Sequence, residues 1–270
     1  MSERTGMDRQ MSLDDVSDLD ALFERRGKAA QEGLDAFEVR RAVPYGDGPG
    51  ETLNIFPAGK DAPVMVFIHG GFWRSLDADL FSFLAPGFVP FGVCLVVIDY
   101  PLIPSVRLAD IVASCQRAVS WVCDNIADHG GDPDRVHISG NSAGGHLVAE
   151  LASRPGAERI RGGTAISGLY DLAPVVQSFQ NDDLQLTADE VANYSPLLRP
   201  LDIRMPMIVT VGGDETQEFL RQTDDFADRI GVVSYHAPGT NHITVLLDAL
   251  ASPEDRLNRL VRAQMGLPAD

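Results

Sequence analysis

The chain has 270 residues, enough for one large domain with a complete core, and its 44 % hydrophobic content excludes general disorder. The formal net charge of −17 argues against nucleic acid or an anionic membrane surface as a partner, but it leaves a small-molecule substrate open. No apolar run approaches the length of a membrane span.

Three cysteines, Cys94, Cys115 and Cys123, are an odd number without metal-ligand spacing. Cys115 and Cys123 lie eight residues apart in a helical pattern, so we expect them on one buried face. No His, Cys or carboxylate cluster has the spacing of metal ligands. We therefore expect reduced core cysteines in a cytoplasmic protein that has neither a metal nor a cofactor.

The N-terminal 36 residues form a predicted arm and helix that precede the main domain at residues 37–270. Met1 to about Asp20 is polar and rich in aspartate, which predicts a loose arm and no secretory signal. Leu19 to Gly33 has helical spacing and is predicted to fold over the domain.

Alternating buried strands and helices follow along the chain. Phe37–Val43 and Thr52–Phe56 predict a hairpin. Continuous apolar runs predict strands buried on both faces, and they are Val64–Ile68, Val93–Ile98, Gly163–Ser167, Met207–Val211 and Val232–His236. Helical patterns separate them at Leu76–Pro90, Leu108–Ala127, Glu215–Arg229 and Ile243–Leu250. The order predicts a mostly parallel sheet with helices on both faces.

One segment interrupts this alternation. Residues from Asp171 to Pro200 make too long a connection and contain no buried strand. We expect residues 171–200 to form a lid-like insertion over the mouth of the site.

The segment from Ile138 to Leu147 contains Gly-x-Ser-x-Gly, with Gly140, Ser142 and Gly144 in the fixed positions. It lies between a short β-type run and a helical run, which is the context of a nucleophile elbow. A serine in such a sharp turn brings neighbouring backbones close together, and the glycines avoid clashes there. We predict that Ser142 is a nucleophile.

A serine nucleophile needs a base, and the base works best when a carboxylate orients it. Of the six histidines, His242 is the best candidate because it follows the last strand in a loop before a helix. Of the others, His137 and His236 lie in predicted strands and His129 in a predicted surface turn. His146, one helical turn beyond Ser142, is expected to face the wrong way for a base.

The acid is expected just past the strand Met207–Val211, where catalytic residues collect in open α/β sheets. We assign Asp214 to this role, with its neighbour Glu215 as the competitor. For either residue, a position in the first turn of a helix is the structural alternative.

The loop His69-Gly70-Gly71-Phe72-Trp73 follows an early buried strand. Its glycines allow the backbone to approach a substrate oxygen, and free N–H groups can bind an oxyanion. We assign this oxyanion hole to the N–H groups of Gly71, Phe72 and Ala143, and we expect His69 to hold the loop by hydrogen bonds.

These two motifs together resemble the hormone-sensitive-lipase-like esterases of the α/β-hydrolase fold, over about Phe37 to Leu260. The aromatic pair at 72–73 is similar to the kynurenine formamidase (arylformamidase) branch, as are Gly168–Leu172 and Asn193–Leu197. Esterases of the wider group usually have a third glycine where this chain has Phe72. The chain order Ser142, Asp214, His242 is the order of this fold.

The resemblance implies hydrolysis of N-formyl-L-kynurenine, a step in tryptophan catabolism, and it suggests a homodimer. Phe72, Trp73, Tyr170 and Tyr194 are the aromatics that we expect near the mouth of the site, where they can stack on an aromatic amine. Arg74 and Arg107 are the cations considered for a substrate carboxylate. A carboxylesterase of short acyl esters is the alternative, and a hydrolase-fold binding protein without turnover is a third hypothesis.

Overall fold

A computed structural model describes residues 6–14 and 16–268 of the chain. Its centre is an eight-stranded sheet. Numbered along the chain, the strands lie side by side in the order first, second, fourth, third, fifth, sixth, seventh and eighth. The first two strands pair antiparallel with their neighbours, and the remaining strands are parallel. The predicted mostly parallel sheet is therefore confirmed.

The strands alternate their side chains between two apolar layers. They are β1 (Arg40–Pro44), β2 (Thr52–Phe56), β3 (Ala62–Ile68), β4 (Cys94–Ile98), β5 (Gly131–Asn141), β6 (Gly162–Ile166), β7 (Met207–Gly212) and β8 (Tyr235–Ala237). In β3, Val64 and Val66 face one layer, whereas Met65 and Phe67 face the other. Burial on both faces explains the unbroken apolar run that predicted this strand.

Ten α-helices occur in the described chain: α1 (Gly6–Gln10), α2 (Leu19–Ala36), α3 (Ala85–Phe88), α4 (Leu108–Asn125), α5 (Ala143–Ala152), α6 (Ala173–Val176), α7 (Asn181–Leu184), α8 (Ala188–Tyr194), α9 (Gln217–Ile230) and α10 (Arg256–Gln264). Helices α4, α5 and α9 supply one apolar layer. Residues of α10 and of the π-helix Val245–Leu250 supply the other. Cys115 and Cys123 lie on the buried face of α4, and all three cysteines are free and buried, as predicted.

Two elements depart from the predicted pattern. The crossover at Leu76–Pro90 is a series of short turns rather than one helix, comprising the 3₁₀-helix Asp79–Leu84, then α3, then Val89–Phe91. Pro86 and Pro90 lie at starts of turns, which limits the length of each. The last strand is also shorter than the predicted Val232–His236, because Val233 lies 93 % exposed outside the sheet.

The described part of the N-terminal arm is ordered against the domain, which corrects the prediction of a loose arm. Met11 is 1 % exposed. The Gln10 carbonyl accepts a hydrogen bond from Thr216 Oγ1 at 2.8 Å, and the Met11 carbonyl accepts one from Gln180 Nε2 at 2.9 Å. Residues 6–14 therefore connect the start of α9 with the insertion between β6 and β7. Residues 1–5, which belong to the same predicted arm, lie outside the described residues.

The insertion at residues 171–200 contains three short helices, α6, α7 and α8, and no strand. Arg107, at the start of α4, donates hydrogen bonds to the Leu184 carbonyl at 3.1 Å and to Glu190 Oε1 at 3.1 Å. These bonds attach the insertion to the edge of the sheet where the site lies.

Candidate active site

Ser142 occupies a strained turn between β5 and α5. Its φ of 57° and ψ of −120° are rare for a residue with a side chain. A Cβ on Gly144 would lie 1.9 Å from the Ile68 carbonyl oxygen, and one on Gly140 would lie 2.5 Å from the Gly144 carbonyl oxygen. The two glycines are therefore required by crowding between backbones, as the sequence predicts.

The loop after β3 approaches this turn closely. A Cβ on Gly70 would lie 3.0 Å from the Ser142 Cβ, and Gly71 has a φ of 99°. Within the described chain, no residue accepts a hydrogen bond from the main-chain N–H groups of Gly71, Phe72 or Ala143. Those three donors remain available to an oxygen of a bound molecule.

His69 and Tyr100 stabilise the backbone of this loop. The His69 Nδ1 donates to the Gly70 carbonyl at 2.8 Å, and the Tyr100 hydroxyl donates to the His69 carbonyl at 2.8 Å. The two rings stack at 4.3 Å. Burial lowers the pKa of His69 to about 4, so the imidazole is neutral at neutral pH. The hydrogen bond agrees with the expectation that His69 supports the loop.

His242 lies in the loop after β8, and its Nδ1 donates a hydrogen bond to Glu215 Oε2 at 2.6 Å. The other oxygen of Glu215 accepts from Ser167 Oγ at 2.5 Å and from the Gly212 N–H at 2.7 Å. The Glu215 side chain is 1 % exposed. Three donors therefore orient this buried carboxylate toward His242, which leaves Nε2 of the imidazole as the nitrogen able to take a proton.

This geometry corrects the prediction that Asp214 is the acid. Asp214 is exposed, and its N–H donates to the Thr240 carbonyl at 2.9 Å. The backbone of the Gly212–Glu215 turn directs the side chain of Glu215 inward and leaves that of Asp214 in solvent. Both acids fit the sequence pattern, and the sequence does not show which of the two side chains the turn directs inward.

A cavity of about 370 Å³ contains the side chains of Ser142 and His242 in its wall. Its aromatic lining residues are Phe23, Phe72, Phe81, Phe179 and Phe219. The ring of Phe219 packs on that of His242 at 4.6 Å. The volume lies within the range of small-molecule sites, and the lining is mostly apolar with a few polar groups.

Of the four aromatics predicted near the site, Phe72 lines the cavity, whereas the other three lie elsewhere, which corrects that part of the prediction. Trp73 is fully buried and packs edge-on against His146 at 5.1 Å. Tyr170 is fully buried and stacks on Phe226 at 4.0 Å. Tyr194 lies under the Arg154 guanidinium at 5.1 Å. Consecutive positive φ values at Phe72 and Trp73 leave Phe72 at the cavity and turn Trp73 into the core.

His146 is fully buried, and its Nε2 donates to the Tyr194 carbonyl at 2.8 Å. Burial lowers the pKa of this histidine. Nε2 of His146 is therefore engaged by a carbonyl, which agrees with the expectation that this histidine is not the base.

Residues of the N-terminal segment contribute to the cavity, which the sequence pattern did not predict. Met11, Leu13 and Arg26 line the cavity together with Phe23. Phe23 and Arg26 lie three positions apart on α2, so they share a face of that helix. The helical spacing was readable from the sequence, but nothing in it showed which surface that face would meet.

Within residues 6–14 and 16–268, no group of three His, Cys, Asp or Glu side chains is placed to hold a metal ion. No helix in this part of the chain has the length and apolar character needed to cross a membrane.

A sequence profile described as alpha/beta hydrolase fold matches residues 65–223, more than half of the chain. The chain belongs to this α/β-hydrolase family. The match spans the loop after β3, the elbow and the turn that carries Glu215. It confirms the predicted fold class and identifies an enzyme with hydrolase activity.

Similar α/β-hydrolases include formamidases and esterases. Kynurenine formamidase of Salmo salar is 26 % identical, covering 95 % of this chain and 92 % of that protein. Isoprenylcysteine alpha-carbonyl methylesterase ICME of Arabidopsis thaliana is 30 % identical over 82 % of this chain, which spans 60 % of that relative. A crystal structure from Silicibacter sp. TM1040, described as a candidate thioesterase, has a TM-score of 0.84 at 28 % identity, covering 94 % of this chain and 97 % of its own.

Proposed function

We propose that this α/β-hydrolase is a serine hydrolase that cleaves a small aryl formamide, with N-formyl-L-kynurenine as the first substrate to test. The observation that carries the proposal is one cavity wall holding Ser142, His242 and the loop with unbonded N–H groups. The similarity to kynurenine formamidases along most of the chain supports the choice of substrate.

The first step forms an acyl-serine. His242 Nε2 takes the Ser142 proton as Oγ attacks the formyl carbon, and Glu215 stabilises the resulting imidazolium. The negative charge on the former carbonyl oxygen is stabilised by the N–H groups of Gly71, Phe72 and Ala143. Proton transfer from His242 to the amide nitrogen then breaks the C–N bond and releases the aromatic amine.

The second step returns the enzyme to its starting state. Water enters, His242 takes one of its protons, and the hydroxyl oxygen attacks the formyl ester on Ser142. The oxyanion uses the same N–H groups. The ester C–O bond breaks, Oγ recovers its proton from His242, and formate leaves.

The apolar cavity also supports a second candidate, a carboxylesterase of short acyl esters. The same residues catalyse ester cleavage by the same two steps, with an alcohol as the leaving group. A relative named as a methylesterase favours this alternative. Binding without turnover is disfavoured because the His242–Glu215 pair is intact and oriented.

The deciding experiment compares rates on N-formyl-L-kynurenine and on p-nitrophenyl acetate for the wild type, Ser142→Ala and Ser139→Ala. Ser139 is buried in β5 near Ser142, and its hydroxyl lacks a partner among the described residues, so it is a matched control. Deformylation well above the ester rate, lost in Ser142→Ala and kept in Ser139→Ala, supports the proposal. Ester cleavage with negligible deformylation would favour the second candidate.

We also propose a small-molecule substrate as the ligand, a cytoplasmic location and a homodimer. These three statements stay predictions from the sequence and its resemblance. Gel filtration with light scattering would test the dimer directly.

A further inference from the structure

Arg26 is a buried cation in the wall of the substrate cavity. It lies on α2, it is 9 % exposed, and it lines the same cavity as Ser142. Its Nε has no hydrogen-bond partner among the described residues. The guanidinium carbon lies 5.0 Å from the centre of the Phe23 ring and 5.9 Å from that of Phe81, two aromatics of the same wall.

No carboxylate in the described chain forms an ion pair with Arg26, which distinguishes it from its neighbours. Arg25, the preceding residue of α2, pairs with Asp248 outside the cavity. Arg74, the other cation of the lining, pairs with Asp183 and donates to Gln180 Oε1 at 2.7 Å.

The charges near Arg26 do not compensate for its burial. Burial lowers its pKa, and the attraction of Asp77 opposes this effect without cancelling it. For Arg25, in contrast, the hydrogen bond to Asp248 raises the pKa. A buried cation without a partner destabilises the folded protein, and an anionic ligand would relieve that cost on binding.

The guanidinium group suits one class of anion in particular. Its planar set of donors matches a carboxylate through two parallel hydrogen bonds, and the rings of Phe23 and Phe81 flank it. The whole chain carries a formal net charge of −17, so the field of the protein disfavours a substrate carboxylate. A local cation inside the cavity offsets that repulsion where binding occurs.

We propose that Arg26 binds a carboxylate group of the substrate and thereby selects substrates that carry an anion on the leaving-group side. This inference rests on the proposed function, because it places the carboxylate in the cavity where Ser142 acts. The formyl group needs little space, so the amine portion, with its amino-acid carboxylate, occupies most of the cavity. Arg26 is thus a substrate-binding residue contributed by the N-terminal helix.

The test compares two substrates that carry a carboxylate with two neutral ones that lack it, matched in reactivity. The formamide pair is N-formyl-L-kynurenine and 2′-formamidoacetophenone, which has the same reacting group without the amino acid. The ester pair is 4-acetoxy-3-nitrobenzoate and 2-nitrophenyl acetate. Values of kcat/KM are measured for the wild type, Arg26→Gln, Arg26→Lys and the matched control Arg25→Gln.

We expect Arg26→Gln to lower kcat/KM for the two carboxylate-bearing substrates roughly tenfold or more, through a higher KM, and to change the two without a carboxylate less than about threefold. Arg26→Lys should recover part of the loss because it restores the charge without the planar geometry. Arg25→Gln should resemble the wild type. The rates on neutral substrates show in the same samples that the variants are folded.

Equal losses on substrates with and without a carboxylate, or no loss on either, would overturn the role of Arg26. A loss confined to the carboxylate-bearing ester, with inert formamides, would overturn the formamide substrate while supporting Arg26. Absence of turnover on all four compounds in the wild type would overturn the proposed function and the role of Arg26 with it.

Discussion

Glu215 and Asp214 are consecutive residues of one turn, and only one of their carboxylates reaches His242. Glu215 accepts from Ser167 and from the Gly212 N–H in addition to its bond with His242, so its position is fully determined. Asp214 lies exposed in the same turn. The pair therefore offers a direct comparison between an oriented acid and a surface acid of the same segment.

We expect Glu215→Gln to reduce kcat by about 10²–10⁴, because an amide cannot stabilise the imidazolium and can favour the wrong tautomer of His242. Asp214→Asn should stay within roughly threefold of the wild type, since surface substitutions have small effects. The measurement is the steady-state rate on the better of the formamide and ester substrates. A large loss in Asp214→Asn with a small one in Glu215→Gln would reverse the assignment.

Sequence reasoning identified residues whose role depends on local motifs. Ser142 was found because its neighbours must be glycine in that turn, and His242 because it follows the last strand. The inward direction of Glu215, the position of Arg26 in the cavity and most of the aromatic lining depend on side-chain direction or on contacts between distant segments. The rule that an aromatic near a motif lines the site failed for Trp73, which a left-handed backbone turns into the core.

Helix α2 forms part of the cavity wall, and one glycine sets how closely it packs. A Cβ on Gly33 would lie 2.2 Å from the Ser82 carbonyl oxygen, whereas a Cβ on Gly27 would meet nothing within 4 Å. The same helix therefore contains one glycine required by close approach and one that is free. That contrast allows the packing of α2 to be tested within a single element.

We expect Gly33→Ala to lower the free energy of unfolding by roughly 2 kcal/mol or more, because the backbone of Ser82 must move. Gly27→Ala should raise it by about 0.5–1 kcal/mol, because alanine loses less entropy in a helix. Urea unfolding followed by circular dichroism measures both. Similar effects of the two substitutions would show that α2 does not pack against the 3₁₀-helix Asp79–Leu84 as described.

The hydrophobic pattern of the sequence predicted most of the buried strands and helices. It did not predict the N-terminal segment, whose position depends on hydrogen bonds to distant residues. The central strands and α4 were predicted because their apolar runs or stripes must be buried. The N-terminal segment is polar, so its sequence suggested a loose arm. Its hydrogen bonds to Thr216, Glu218 and Gln180 come from residues far along the chain, which no local pattern reveals.

The parallel sheet brings the whole site to one edge. The β3 loop, the elbow after β5, Ser167 after β6, Glu215 after β7 and His242 after β8 all follow carboxyl ends of strands. Because sheet order places β3, β5, β6, β7 and β8 side by side, residues spread over most of the chain meet there. The chain order of strands and motifs is a property of the sequence, and this is why Ser142 and His242 could be placed at one site from the sequence alone.

Asp99 follows β4 at the same edge of the sheet, and its ionisation affects the stability of the whole molecule. Burial raises its pKa to about 6, while hydrogen bonds from the Ala78 N–H and Thr52 Oγ1 oppose that shift. A carboxyl whose pKa is higher in the folded state stabilises the protein when protonated. This stabilisation is fully present below the unfolded pKa of about 3.9 and is lost as pH rises through about 6.

We expect Asp99→Asn to gain stability relative to the wild type as pH rises, because the amide never ionises. The difference in unfolding free energy between variant and wild type should increase by about 1–2 kcal/mol from about pH 5 to about pH 8. Asn can still accept from the Ala78 N–H. Urea unfolding of both proteins at the two pH values gives the difference.

Variant and wild type must be compared at each pH because the shifted pKa of His69 changes the stability with pH in the direction opposite to that of Asp99. Its pKa is lowered to about 4, so its neutral form stabilises the fold above the unfolded value of about 6.5, and that contribution is lost as pH falls. In the wild type, the opposite effects of Asp99 and His69 on the pH dependence of stability partly cancel, so neither is visible alone. Asp47→Asn, which removes one exposed carboxylate, is the control for net charge. A pH-independent difference for Asp99→Asn, equal to that of the control, would show that Asp99 ionises in the fold as it does in solvent.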